Sequence, residues 1–293
     1  MSPESAAVLR EASRIAGLDA SCAELIRVGE NSLYRLPGQV VARVTRRGQV
    51  AAARKEVEVS RWLAAHGVPV VEALREPSQP VEVDNRAVTF WRELPPHRQG
   101  TTAELAVLLK QLHALPAPDF ALPPLAPFVR LKERLAEAEA RWLPNDDRDW
   151  LLYRLAELEA EYATLPAGLP WCAIHGDAWS GNVAVTEQGP VLLDLERFAF
   201  GPPEWDLTGV AVSYTTFGGV SAQEWQGFCE RYGYDVTAWT AFTVFRDIRE
   251  LRKVTFAVQL AGQREDIAEQ ARYRIACLRG ERGPRPWGWT GVP

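Results

Sequence analysis

The stretch His175-Gly176-Asp177-Ala178-Trp179-Ser180-Gly181-Asn182, followed by Val191-Leu192-Leu193-Asp194, constrains this chain more than any other. Residues 183–186 and 191–193 read as two apolar strands, with Glu187-Gln188-Gly189-Pro190 as the turn between them. Such a hairpin carries Asp194 back beside Asn182, where an amide and a carboxylate can share one Mg2+ through oxygen ligands. Asp177 and Asn182 stand five residues apart. At that spacing a phosphoryl-transfer loop places the carboxylate that orients an attacking hydroxyl and the amide that holds metal.

At these residues the chain resembles the aminoglycoside phosphotransferase family, whose pattern is His-Gly-Asp, four residues, Asn, then a hydrophobic strand ending in Asp. Every position of that pattern is filled here. The departures are Trp179 and Ser180, which stand where many relatives carry His-Pro. They lie beside the attacking hydroxyl, so they bear on the acceptor and leave the chemistry intact. The resemblance implies an α+β, bilobal, protein-kinase-like fold, with a small antiparallel-sheet N-lobe (residues 1–95) and a larger, mostly helical C-lobe (residues 96–293). It implies transfer of the γ-phosphate of ATP (or GTP), with Mg2+, to a hydroxyl of a small molecule. In this scheme Asp177 is catalytic, Asn182 and Asp194 hold the metal, and His175 and Asp206 support the loop.

Composition narrows the alternatives. An apolar content of 47% and a charged content of 24% over 293 residues are those of a globular protein with a full core. No apolar run approaches a membrane span, and Met1-Ser2-Pro3-Glu4-Ser5 lacks the features of a signal peptide. Cys22, Cys172, Cys229 and Cys277 follow no metal or disulfide spacing and read as reduced thiols of a cytoplasmic protein. The net charge of −5 is uneven: residues 96–245 carry −10 and residues 246–293 carry +4. So acidic a middle section is a poor nucleic-acid surface. No membrane, nucleic-acid or obligate protein partner is expected.

Ahead of the loop, residues 5–17 have helical apolar spacing. Residues 25–36 and 40–44 read as three antiparallel strands with a turn at Pro37-Gly38. The bend from Gly29 to Ser32 would offer backbone amides and a hydroxyl to nucleotide phosphates. Arg43, on the third strand, takes the place of the phosphate-binding lysine of kinases, a chemically sound exchange because guanidinium grips phosphate bidentately. Residues 50–65 form a helix that ends before Gly67 and Pro69, with Glu56 as the candidate partner of Arg43 and Glu58 as its competitor. A hairpin across Asp84-Asn85 completes a five-stranded sheet. It leads into a hinge, Phe90, Trp91, Glu93 and Leu94, whose backbone edge is expected to meet adenine.

The remainder reads as helical: residues 103–115, 128–143, 146–164, 221–232, 237–262 and 264–279, with another helix starting near Asp206. His113 is read as a helix C-terminal residue. Trp179, Glu196, Trp205 and Tyr214 are the acceptor-side candidates. The aromatic surface of Trp179, Trp205, Tyr214 and Trp225, with the arginines 272, 274, 279, 282 and 285 near the chain end, points to a neutral or weakly charged hydroxylated acceptor ahead of a polycation. Two alternatives stay open: a catalytically silent nucleotide-binding pseudokinase and a kinase-fold nucleotidyl transferase.

Overall fold

Five short strands make an antiparallel sheet: β1 (Glu24–Val28), β2 (Ser32–Leu36), β3 (Val40–Val44), β4 (Val81–Val83) and β5 (Arg86–Arg92), in spatial order β1-β2-β3-β5-β4. The computed structural model describes residues 3–29, 31–262 and 264–291. By backbone packing the chain divides into one unit of residues 1–123 with 180–200, and another of residues 124–179 with 201–293.

In the first unit, alternation along the strands decides what each face carries. Tyr34, Leu36, Val40, Ala42, Val44, Val88 and Phe90 are buried in one cluster with Val8, Leu9 and Ala12 of helix α1 (Pro3–Ala16). Each large apolar side chain so buried contributes about 1.5–3 kcal/mol. Arg43 alternates with Ala42 and Val44, and so projects from the opposite face. There helix α2 (Val50–Ala65) carries Glu56. The β4–β5 turn falls at Asp84 and Asn85, both with positive φ, as a two-residue hairpin requires.

The same unit holds β6 (Arg98–Gln99), which sequence reading did not anticipate, and helix α3 (Thr102–His113), opened by a Thr101/Glu104 capping box. β6 pairs with β8 (Val183–Thr186), which pairs in turn with β9 (Gly189–Leu192). His113 is the last residue of α3, as expected.

The second unit contains β7 (Cys172–Ile174) and the helices α4 (Leu131–Glu137), α5 (Asn145–Ala163), α6 (Glu204–Val212), α7 (Ala222–Tyr232), α8 (Phe242–Leu260) and α9 (Glu265–Leu278). α8 packs against α4, α5, α6 and α9, burying Phe245, Ile248, Leu251 and Val254 completely. Two expected helices are shorter than their apolar pattern suggested. The one read at 128–143 stops at Glu137, where Arg148 donates to the Leu135 and Ala138 carbonyls and takes up the exposed helix end. The one read at 237–262 begins at Phe242, because Asp235 caps a separate turn, Val236–Ala238, through the Thr237 amide.

The chain end is packed. Trp287 and Trp289 are both buried, with ring centroids 5.5 Å apart, and the Trp287 amide donates to the Thr216 carbonyl. Beside them Arg285 forms a two-pronged ion pair with the fully buried Glu250, which also accepts from the Thr216 hydroxyl at 2.5 Å. Among the described residues no helix is long and apolar enough to cross a membrane. The four cysteines are free thiols, and burial pushes Cys172 and Cys229 up to about 12, which leaves both unreactive.

Candidate active site

The first unit gathers the residues expected to meet nucleotide and metal. The register pairs Val183 with Leu192, and the Leu193 amide donates to the Asn182 carbonyl at 2.9 Å. The hairpin therefore brings Asn182 and Asp194 to neighbouring positions at its open end. Asp194 is exposed and adopts a left-handed φ of 55°, an uncommon conformation for a residue with a side chain. The chain then turns through Leu195–Arg197.

Glu196 in that turn accepts from Arg43 Nη2 at 2.9 Å, while Arg43 Nη1 donates to Glu56. The Asn31 side-chain oxygen, in the amide orientation that pairs acceptor with donor, lies 2.5 Å from Arg43 Nη2 and 3.0 Å from Nε. These four side chains border a hollow of about 20 Å³. A larger cavity of about 570 Å³ lies elsewhere on this unit, between α2 and residues 72–75, and shares no lining residue with the hollow.

Lys55, one residue before Glu56, donates to the carbonyls of Glu196 at 2.7 Å and Phe198 at 3.0 Å. Sequence reading missed it because a lysine beside a glutamate on a helix looks like solvated charge. Its signal was its place one residue before the ion-pairing position. Burial holds the Lys55 ammonium below its ordinary range. Burial also pushes the Glu56 carboxyl up to about 7; Arg43 opposes that shift, and the carboxylates of Glu196 and Asp194 add to it.

That crowding of carboxylates bears on the metal. Among the described residues no three or more His, Cys, Asp or Glu side chains are placed to enclose an ion. An amide and a carboxylate, with further carboxylates close by, suit Mg2+, which keeps several waters and takes its remaining ligands from phosphate.

Glu58, the competitor, has no part in the Arg43 pair, whose carboxylates are Glu56 and Glu196. Of the bend, Gly29 is exposed and its amide donates to the Asn31 carbonyl at 3.1 Å, while Ser32 is half-buried in β2. Glu30 lies outside the described residues. The expected hinge needs correction. Phe90 and Trp91 are buried, and the Phe90 amide and carbonyl are taken by Gln79 and Leu74. The Arg92 and Glu93 amides donate to the Glu72 and Gln39 carbonyls. These backbone groups of Phe90, Arg92 and Glu93 are therefore taken within the protein, and Phe90 belongs to the core.

The second unit holds Asp177. Its loop is braced by Asp206, fully buried in α6, which accepts the His175 and Gly176 amides at 2.7 and 2.8 Å. His175 is also fully buried, and its Nδ1 accepts the Asp177 amide at 3.3 Å. Gly176 turns at φ +83°, a conformation that favours glycine. Asp177 itself is exposed.

Trp205 is not acceptor surface. It is 2% exposed, its indole N–H donates to the Gly176 carbonyl at 2.9 Å, and Arg249 covers its ring at 4.2 Å. Trp179, by contrast, is 51% exposed. Tyr214 is half-buried and stacks on Trp225 at 5.8 Å. Glu196 belongs to the Arg43 cluster of the first unit.

The family model for the phosphotransferase enzyme family matches residues 26–243. Among solved structures, an amicoumacin kinase in complex with AMP-PNP, Ca2+ and Ami is similar at a TM-score of 0.74 and 15% identity, covering 97% of this chain and 95% of that one. A choline/ethanolamine kinase family protein from Mesorhizobium loti is similar at 0.65 and 19%, covering 95% and 93%. An aminoglycoside phosphotransferase from Streptomyces rimosus is similar at 0.58 and 19%, covering 82% and 95%. No curated protein matches the chain. These likenesses make the fold kinase-like: a small antiparallel sheet toward the N-terminus and a helical C-terminal part.

Proposed function

This chain belongs to the phosphotransferase enzyme family, and from that premise we propose that it moves the γ-phosphoryl group of ATP, as its Mg2+ complex, to a hydroxyl of a small molecule. The observation that carries this reading is the triple contact of Arg43 with Glu56, Glu196 and Asn31, in the same unit as the hairpin whose open end carries Asn182 and Asp194. A guanidinium held on three sides is a pre-organised phosphate ligand, and preorganisation is where such a site gains its rate.

Asn182 and Asp194 would hold Mg2+, which when bound neutralises charge on the phosphate oxygens. Arg43 neutralises phosphate charge from the strand, and Glu56 and Glu196 fix its direction. Asp177 accepts a hydrogen bond from the acceptor hydroxyl. As the acceptor oxygen bonds to the γ-phosphorus, the bond to the β–γ bridging oxygen breaks, ADP leaves, and the hydroxyl proton passes through Asp177 to solvent. Because the transition state is loose, the carboxylate's position counts for more than its basicity. Asp206 and His175 set that position through the loop backbone.

Intact mass of the product tests the proposal. Incubation with Mg-ATP and a panel of antibiotics, sugars, amino alcohols and nucleosides should add one phosphate to an acceptor. Addition of a nucleotide, or no addition to any acceptor together with tight nucleotide binding, would contradict it.

A further inference from the structure

Arg249 of α8 packs beneath the catalytic loop, and Lys253 follows it on the same helix. Arg249 Nη2 donates to the Trp205 carbonyl at 2.5 Å, and Trp205 in turn donates to Gly176, the residue before Asp177. A side chain at Gly209 would meet the Ala178 carbonyl at 2.6 Å and the Arg249 guanidinium carbon at 3.5 Å, so Arg249 lies against the residue that follows Asp177. Lys253 stands one helical turn further along the same face of α8. Asp177 lies within electrostatic reach of both. Lys253 is exposed; neighbouring protein lowers its ammonium, and Asp177 opposes the shift.

The other charges nearby are already committed. On α8, Asp247 pairs with Arg154 and Arg246, and Glu250 with Arg285. The arginines near the chain end, which sequence reading offered as acceptor surface, have other partners. Arg272 meets Glu265, Arg279 meets Asp147, and Arg274 donates to the carbonyls of Lys253 and Thr290. Arg282 lies over the Tyr273 ring. The positive charge that bears on Asp177 comes from Arg249, which the Asp206 carboxylate also offsets, and from Lys253.

We propose that the acceptor is a small hydroxylated molecule carrying an anionic group, carboxylate or phosphate, which docks on Lys253 while its hydroxyl meets Asp177. This rests on the phosphotransferase reading and names the acceptor class for it. It also revises the neutral acceptor expected from sequence. Arg249, committed to the Trp205 carbonyl and ring, is the positioning residue of the pair, and Lys253 is the specificity residue. A cation beside the acceptor discriminates by ligand charge, since an anionic acceptor gains attraction there and a cationic one gains repulsion.

The test uses matched acceptor frames: gluconate against glucose and glucosamine, and glycerol 3-phosphate against glycerol. Binding of each is measured by calorimetry to the full chain with Mg2+ and a non-hydrolysable ATP analogue. The anionic member of each frame is expected to bind at least about tenfold more tightly than its neutral or cationic counterparts. Lys253→Glu should reverse that order, Lys253→Arg should keep it, and both should bind the nucleotide analogue as the parent does. Equal, inverted or undetectable binding of the anionic members, or an order that survives Lys253→Glu, overturns the inference. Gluconate and glycerol 3-phosphate separate carboxylate from phosphate as the preferred group. Mass analysis of products with ATP tests the transferase reading separately, since binding order is scored without turnover.

Discussion

The Arg43 guanidinium and the Glu196 carboxylate meet at 2.9 Å across 153 residues of chain, and the same guanidinium is held from the other side by Glu56. A strand, a helix and the turn after the metal hairpin thus converge on one cation. Removing any of the three should affect the others, which gives the site measurable couplings.

The first coupling is a double-mutant cycle. Arg43→Ala and Glu56→Ala should each weaken nucleotide binding, and the double variant should lose little more than the worse single. The coupling energy expected for charges in one network is about 0.5–3 kcal/mol. Additive losses would mean that Glu56 does not act through Arg43.

A pH dependence follows from Glu56. Its folded-state carboxyl titrates near 7, above the ordinary 4.5, so the folded protein holds this proton more tightly than the unfolded chain. The stability contributed by this group is therefore fully present below about 4.5, falls as pH rises toward 7, and levels off above that. At about 1.4 kcal/mol per unit, the fall has an upper bound of about 3 kcal/mol. Urea unfolding of the wild type and Glu56→Gln between pH 5 and 8 should show the wild type losing ground to the variant with rising pH. A constant difference between the two would contradict the assignment.

Asp206 offers a prediction about the loop. Asp206→Ala leaves the buried His175 amide and the part-buried Gly176 amide without their acceptor, the buried one at a cost of about 1–3 kcal/mol. Turnover should drop by an order of magnitude or more, while affinity for the Mg-nucleotide complex stays near the parent value. Unchanged turnover in a folded variant would show that the loop holds its shape without Asp206.

Helix, strand and hairpin positions were legible where local pattern and tertiary packing agree. α2 matches the expected 50–65, because Gly67 and Pro69 end it and its apolar residues have one face to bury. The Arg43–Glu56 pair was expected from the kinase pattern, with Glu58 as the alternative, and the side chains of Arg43 and Glu56 meet. The roles of Lys55, Asn31 and Glu196 around that pair were not, because they arise from contacts between distant segments and leave no local periodicity. Trp205 misled for a related reason: an aromatic after Pro-Pro-Glu looks the same in sequence whether it faces a ligand or, as here, the underside of the loop. The hinge was misplaced because Gln79, outside any strand, takes the Phe90 backbone groups.

The packed chain end gives a stability prediction. Glu250 is fully buried and is hydrogen-bonded by Arg285 and Thr216. Arg285→Ala should destabilise the protein by up to about 3–5 kcal/mol, since a buried carboxylate loses its hydrogen-bonded cation and is left with Arg246 at 3.8 Å. The double change Arg285→Ala with Glu250→Gln should recover part of that loss. Tryptophan fluorescence during unfolding reports the result through Trp287 and Trp289. A single variant as stable as the parent would show that the tail does not depend on this pair.

The division of labour between Asp177 and Asp194 is the most direct test of all. Calorimetric binding of Mg2+ with a non-hydrolysable ATP analogue, set beside turnover measured by product mass, separates the two roles. Asp177→Ala should bind the nucleotide complex as the parent does and lose turnover by roughly 10²–10⁴-fold, the usual worth of a positioned base. Asp194→Ala should lose Mg-dependent nucleotide binding itself. Asp177→Ala retaining more than about a tenth of the parent rate, against that same scale, or Asp194→Ala binding Mg-nucleotide normally, would contradict the assignment.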